Sequence, residues 1–85
     1  MSKEIELTLI GKPGCHLCDD AQFVIDTVLE EFETPIPVVK KNILDDEPLF
    51  ARYSEEIPVL LINGKVHNYW RIDPDRLRSE LQKLL

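Results

Sequence analysis

Cys15 and Cys18 are the only thiols in the chain, and His16 and Leu17 separate them. A Cys-x-x-Cys pair can exchange disulfides or bind a metal ion. Exchange needs one sulfur that ionises and attacks, and a second close enough to resolve the mixed disulfide that forms. A spacing of three puts Cys18 about one helical turn beyond Cys15 if a helix starts at the pair. The surrounding residues favour that start. Ile5 to Ile10 reads as a strand, Gly11-Lys12-Pro13-Gly14 breaks it, and apolar residues then follow at helical spacing from Leu17. Cys15 is therefore expected at a strand-to-helix junction, where unpaired backbone N–H groups and the helix dipole favour a thiolate. A protonated His16 would add to this, while Asp19 and Asp20 bring opposing charge. As a covalent staple the pair would do little, because so short a loop hardly restricts the unfolded chain.

Metal ligation is the weaker chemistry. The available ligands are Cys15, Cys18, His16 and His67, and a structural zinc site usually needs four. His16 lies inside the cysteine pair, where its direction is constrained, so no metal site is assigned.

The helix after the pair carries Leu17, Ala21, Val24, Ile25, Val28, Leu29 and Phe32 on one face, and Thr34-Pro35 stops it. Ile36 to Ile43 reads as a short strand with Pro37 demoting its start. Asp45 and Asp46 are cap candidates for a short, solvated helix start holding Pro48, Leu49, Phe50 and Tyr53. Ile57 to Ile62 is the most β-like run, and Asn63-Gly64 turns it back into Lys65 to Tyr69. Asp73 and Pro74 open a last helix lined by Leu77, Leu81, Leu84 and Leu85. The order is β-α-β-α-β-β-α. Its βαβ unit requires a parallel pair and its hairpin an antiparallel one. The expected fold is α/β and thioredoxin-like, a mixed four-stranded sheet flanked by helices, with residues 1–85 as one domain.

Pro58 at the head of a central strand is unusual, since proline cannot donate to the ladder. A cis Ile57–Pro58 bond would leave the Ile57 backbone free to pair with an extended ligand beside Cys15. On local sequence alone a trans proline starting a strand is the commoner state. Trp70 reads as core packing under the last helix ahead of a substrate contact, and Arg71 as a member of a surface ion pair ahead of a charge that screens the acidic surface for an anionic ligand.

The 85 residues carry ten Lys and Arg against sixteen Asp and Glu, a net charge of −6. That balance argues against nucleic acid or an anionic membrane as partner. The longest apolar run, Val59 to Ile62, is far shorter than the roughly 20 residues of a membrane helix. Met1 to Ile5 leads into alternation rather than a secretory core, so a reducing cytoplasm is the expected location. With no evident interface stripe, a monomer is expected.

Lys12-Pro13-Gly14-Cys15-x-x-Cys18 together with Glu56-Ile57-Pro58-Val59-Leu60-Leu61-Ile62-Asn63-Gly64-Lys65 resembles the glutaredoxin family. The likeness spans nearly the whole chain and is nearest to small glutaredoxin-like proteins of the thioredoxin superfamily. It implies a cis Pro58, a nucleophilic Cys15, a resolving Cys18 and a Lys12 that contacts a glutathione carboxylate. It further implies a disulfide oxidoreductase with no bound cofactor, acting on disulfide-containing proteins or on glutathione as cosubstrate. By analogy with some glutaredoxins, a cluster shared between two chains through Cys15 and glutathione is the alternative, as is a redox-inactive binding module. Two features depart from the family pattern. Pro-Tyr between the cysteines is replaced by His16-Leu17. The Gly-Gly pair after the hairpin, with its polar residue for the γ-glutamyl end, is replaced by Asn68-Tyr69-Trp70-Arg71, leaving Asp73 as the polar candidate.

Overall fold

A computed structural model describes residues 4–85. Met1, Ser2 and Lys3, part of the segment read above for a leader, lie outside the described residues. The strands are β1 (Leu7–Gly11), β2 (Val38–Asn42), β3 (Val59–Ile62) and β4 (Lys65–Tyr69). The helices are α1 (His16–Leu29), α2 (Glu47–Tyr53) and α3 (Pro74–Leu84). They form one mixed sheet of order β2-β1-β3-β4. β1 runs parallel to β2 and antiparallel to β3, and β3 is antiparallel to β4. This is the thioredoxin-like α/β architecture the element order implied.

β1 lies between two neighbours with layers on both faces, and Leu7, Thr8, Leu9 and Ile10 are all buried. Side chains alternate across the sheet, so Leu7, Leu9, Leu60 and Ile62 meet Ala21, Ile25 and Val28 of α1 and Leu77 and Leu81 of α3. Burying a leucine as fully as Leu77 or Leu81 contributes about 1.5–3 kcal/mol. Ile10 and Val59 point the other way, into a smaller cluster with Ile43, Tyr53, Ile57 and Cys18. The Arg78 guanidinium chelates Glu31 through two 2.7 Å contacts and ties α3 to the end of α1. Its charge and hydrogen bonds hold the Glu31 carboxyl below its ordinary range.

Several boundaries differ from the sequence reading for local reasons. α1 ends at Leu29, and the N–H of Phe32 instead bonds the Leu29 carbonyl in a terminal turn. Asp46, not Asp45, caps α2: its carboxylate accepts the Leu49 N–H at 3.1 Å. Asp45 belongs to a 3-10 turn, Ile43–Asp45, capped by the Asn42 side chain. Leu85 lies beyond α3 and is 53% exposed, so the apolar face of that helix ends at Leu84. Asn63 and Gly64 both adopt positive φ, 51° and 84°, as the tight hairpin demands. Arg71 is exposed and enters no ion pair among the described residues.

His67 sits half-buried on β4, and its Nε2 is enclosed without a hydrogen-bond partner among the described residues. Desolvation and the nearby Arg76 charge push its basicity below the ordinary value of 6.5, against weaker opposing pulls from Glu80 and Asp73. The unfolded chain therefore takes up this proton at a higher pH than the folded one. Stability is intact above pH 6.5 and falls as the pH drops through the lower folded value. Urea midpoints between pH 7 and pH 5.5 should decline more steeply for the wild type than for His67→Gln. Parallel curves would rule this out. The Glu31 contribution is lost only below its ordinary 4.5, so the two windows separate.

Candidate functional site

At the carboxyl end of β1 the chain turns through Lys12, Pro13 and Gly14 before α1 begins. Gly14 has φ +76°, a conformation that most side chains resist, and it redirects the backbone so that Cys15 becomes the N-cap of α1. Cys15 is extended, with φ −96° and ψ 113°, and its carbonyl accepts the Asp19 N–H. Its Sγ accepts the backbone N–H of Cys18 at 3.2 Å, one of the donors that every helix start leaves unpaired. Cys15 and Cys18 are joined as a disulfide with Cα atoms 5.2 Å apart.

The two sulfurs differ in access. Cys15 is part-exposed, whereas Cys18 is buried in the smaller core cluster. Gly11 passes directly beneath Cys18: a Cβ there would lie 2.8 Å from the Cys18 Sγ. On the α1–β2 side a cleft of about 400 Å³ opens beside the pair, lined by Lys12, Cys18, Asp19, Gln22 and Lys40 among others.

Ile57 and Pro58 precede β3 and are both buried, and their peptide bond is cis. Ile57 packs in the same cluster as Cys18, with Cys15 against it. Outside helices and strands, no backbone hydrogen bond among the described residues uses the N–H or carbonyl of Ile57. The Pro58 carbonyl accepts the Trp70 N–H at 2.7 Å.

The sequence-derived site residues thus divide. Cys15, Cys18 and Ile57 meet in one cluster, Pro58 adjoins it, and Lys12 shares the cleft with Cys18. His16 is the first residue of α1 and is exposed. Asp73 caps α3, its carboxylate accepting the N–H groups of Asp75 at 3.0 Å and Arg76 at 3.3 Å. Its own N–H is held by the Asn68 side chain. No three His, Cys, Asp or Glu side chains gather with metal-binding geometry among the described residues.

Trp70 corrects the sequence reading. It is 54% exposed rather than core, with φ +58°. Holding a bulky residue in that region costs about 1–2 kcal/mol. The indole Nε1–H reaches the Glu55 carbonyl at 3.2 Å, so the side chain lies along the loop before Pro58 instead of under α3. The clue in the sequence was the place itself: Tyr69-Trp70 stands where the resembling family has glycines, and glycine is the residue for positive φ.

Residues 6–82 match the family described as Glutaredoxin-like domain (DUF836). The chain belongs to this family. A glutaredoxin-like protein of Dictyostelium discoideum is 31% identical, the alignment covering 98% of this chain and 81% of that one. The X-ray structure of a structural-genomics target from X. campestris is 32% identical, with a TM-score of 0.69 over 91% of this chain and 96% of that one. Thioredoxin-2 of the malaria parasite, described as a component of its protein secretion machinery, is 17% identical. It has a TM-score of 0.68 over 98% of this chain and 85% of its own, a likeness of fold alone. This glutaredoxin-like domain is therefore a thioredoxin-superfamily scaffold with a Cys-x-x-Cys pair at the head of its first helix. No helix among the described residues is long and apolar enough to cross a membrane.

Proposed function

We propose that this glutaredoxin-like domain is a thiol–disulfide oxidoreductase that reduces disulfides of proteins or of glutathione adducts. The single observation that carries the reading is the Cys15 Sγ at the start of α1, accepting the Cys18 N–H while Cys15 packs against Ile57. A reduced Cys15 held there keeps that N–H and the helix dipole directed at its sulfur, which favours the thiolate.

The thiolate attacks one sulfur of the substrate, a new S–S bond forms at Cys15, and the other substrate sulfur leaves and takes a proton from water. Cys18 then gives up its proton and attacks the Cys15 Sγ. The pair closes as a disulfide and the second substrate thiol departs, so two electrons pass from the pair to the substrate. A dithiol reductant or two glutathione molecules would reset it. Within this reading Ile57 offers its backbone to an extended substrate, Lys12 a charge for a carboxylate, and His16 a further positive charge when protonated. A reducing cytoplasm would supply the electrons.

The test is an equilibrium titration of the pair against mixtures of reduced and oxidised glutathione, followed by intact mass. The expected course is loss of two hydrogens as the disulfide closes, with a glutathione adduct at intermediate ratios. A pair that stays inert across the whole range would defeat the proposal and leave a binding module in its place.

A further inference from the structure

We propose that Trp70, backed by Tyr69, forms a wall of the cysteine site that selects polypeptide disulfides carrying an apolar side chain beside the reacting cysteine, in preference to glutathione disulfides. The proposal rests on the oxidoreductase reading and adds the substrate class.

Topology places the wall. β3 starts with Val59 opposite Ile10, and β4 ends with Tyr69 opposite Val59. Tyr69 and Trp70 therefore leave the sheet at the same edge as the Gly11–Cys15 turn and the Ile57–Pro58 bond. Trp70 is fixed there at two points, backbone N–H to the Pro58 carbonyl and indole N–H to the Glu55 carbonyl. Ile57, which lies between those anchors, packs with both cysteines. The Tyr69 ring stands 6.2 Å from the indole, tilted by 49°, and is itself 39% exposed.

Folding alone gives a poor account of Trp70. Its positive φ opposes a large side chain, and an indole more than half exposed gains little from burial. A strained, anchored, exposed aromatic at the same end of the sheet as a reactive pair is what a recognition surface requires. Two rigid rings offer apolar area with little conformational entropy to lose.

The same edge is ill-suited to glutathione, which carries two carboxylates. The donors at the start of α3 are taken by the Asp73 carboxylate, and Pro74 supplies none. An incoming carboxylate would meet the Asp73 carboxylate, with Glu55 and Glu56 in the adjoining loop and Arg71, next to Trp70 in the chain, as a neighbouring cation. An apolar peptide side chain meets no such repulsion and covers the indole.

The experiment is a single turnover of reduced full-length protein, which already holds the two electrons needed. The oxidants are the disulfide-linked dimer of a short peptide with Phe next to Cys, the same dimer with Gly in place of Phe, and oxidised glutathione. Wild-type protein should favour the Phe peptide, and Trp70→Gly should lower its rate relative to oxidised glutathione about tenfold. Trp70→Phe should recover most of that ratio, and the Gly peptide should show little change. Glycine suits the φ at this position, and Trp70→Asn, which also tolerates it, repeats the comparison if the glycine variant does not fold. Equal effects on all three oxidants overturn the wall while leaving the oxidoreductase reading in place. A wild-type protein that reduces none of them removes that reading, and the wall with it.

Discussion

Cys15→Ser is expected to lower disulfide reduction at least about a hundredfold, while Cys18→Ser should accumulate a mixed disulfide between Cys15 and its substrate. The asymmetry follows from access and from the helix start. Cys15 is part-exposed and its sulfur receives the Cys18 N–H, whereas Cys18 is buried against Ile10, Ile57 and Val59. An incoming disulfide reaches Cys15 first. A serine hydroxyl stays protonated at neutral pH even at a helix start, so Cys15→Ser removes the nucleophile and leaves the shape almost unchanged. Cys18→Ser leaves the first attack intact and removes the only group placed to resolve its product. Non-reducing intact mass after mixing with a disulfide peptide checks both variants. Equal loss with no adduct, or an adduct on Cys18, would reverse the assigned roles.

The parts of this site legible in the sequence were those fixed by local chemistry. Lys12 to Gly14 ends the strand, one residue later than the glycine at 11 suggested, helical spacing resumes at Leu17, and Cys15 had to fall between them. The hairpin at Asn63-Gly64 and the cap at Asp73 are equally local, and each formed where expected. What stayed hidden depends on tertiary approach. Trp70 looked like core because a lone large aromatic usually packs inward. Only the antiparallel return of β4 to the Pro58 loop holds its indole outside. Gly11 read simply as a strand breaker. Its lack of a side chain serves a contact with Cys18, which the sequence does not reveal.

Gly11→Ala should therefore act on the redox pair from beneath. The new Cβ would lie 2.8 Å from the Cys18 Sγ and 3.3 Å from its Cβ, closer than packed atoms allow. Gly11 does not hold a positive φ, so the cost is overpacking rather than backbone strain, about 1–3 kcal/mol. The oxidised form should bear most of it. There the Cys18 Sγ is tethered to Cys15 and cannot turn aside, and moving it means moving the first turn of α1. Once reduced, the side chain can rotate away and regain part of the loss. Each ~1 kcal/mol by which the oxidised form is selectively destabilised raises the reduction potential by about 20 mV. Urea unfolding of both redox forms, together with a glutathione equilibrium titration, measures the two sides of this cycle independently. The expected result is a larger stability loss in the oxidised protein and a disulfide that is easier to reduce. Equal losses in both forms with an unchanged potential would show that the sulfur yields freely, and that the glycine beneath it exerts no hold on the pair.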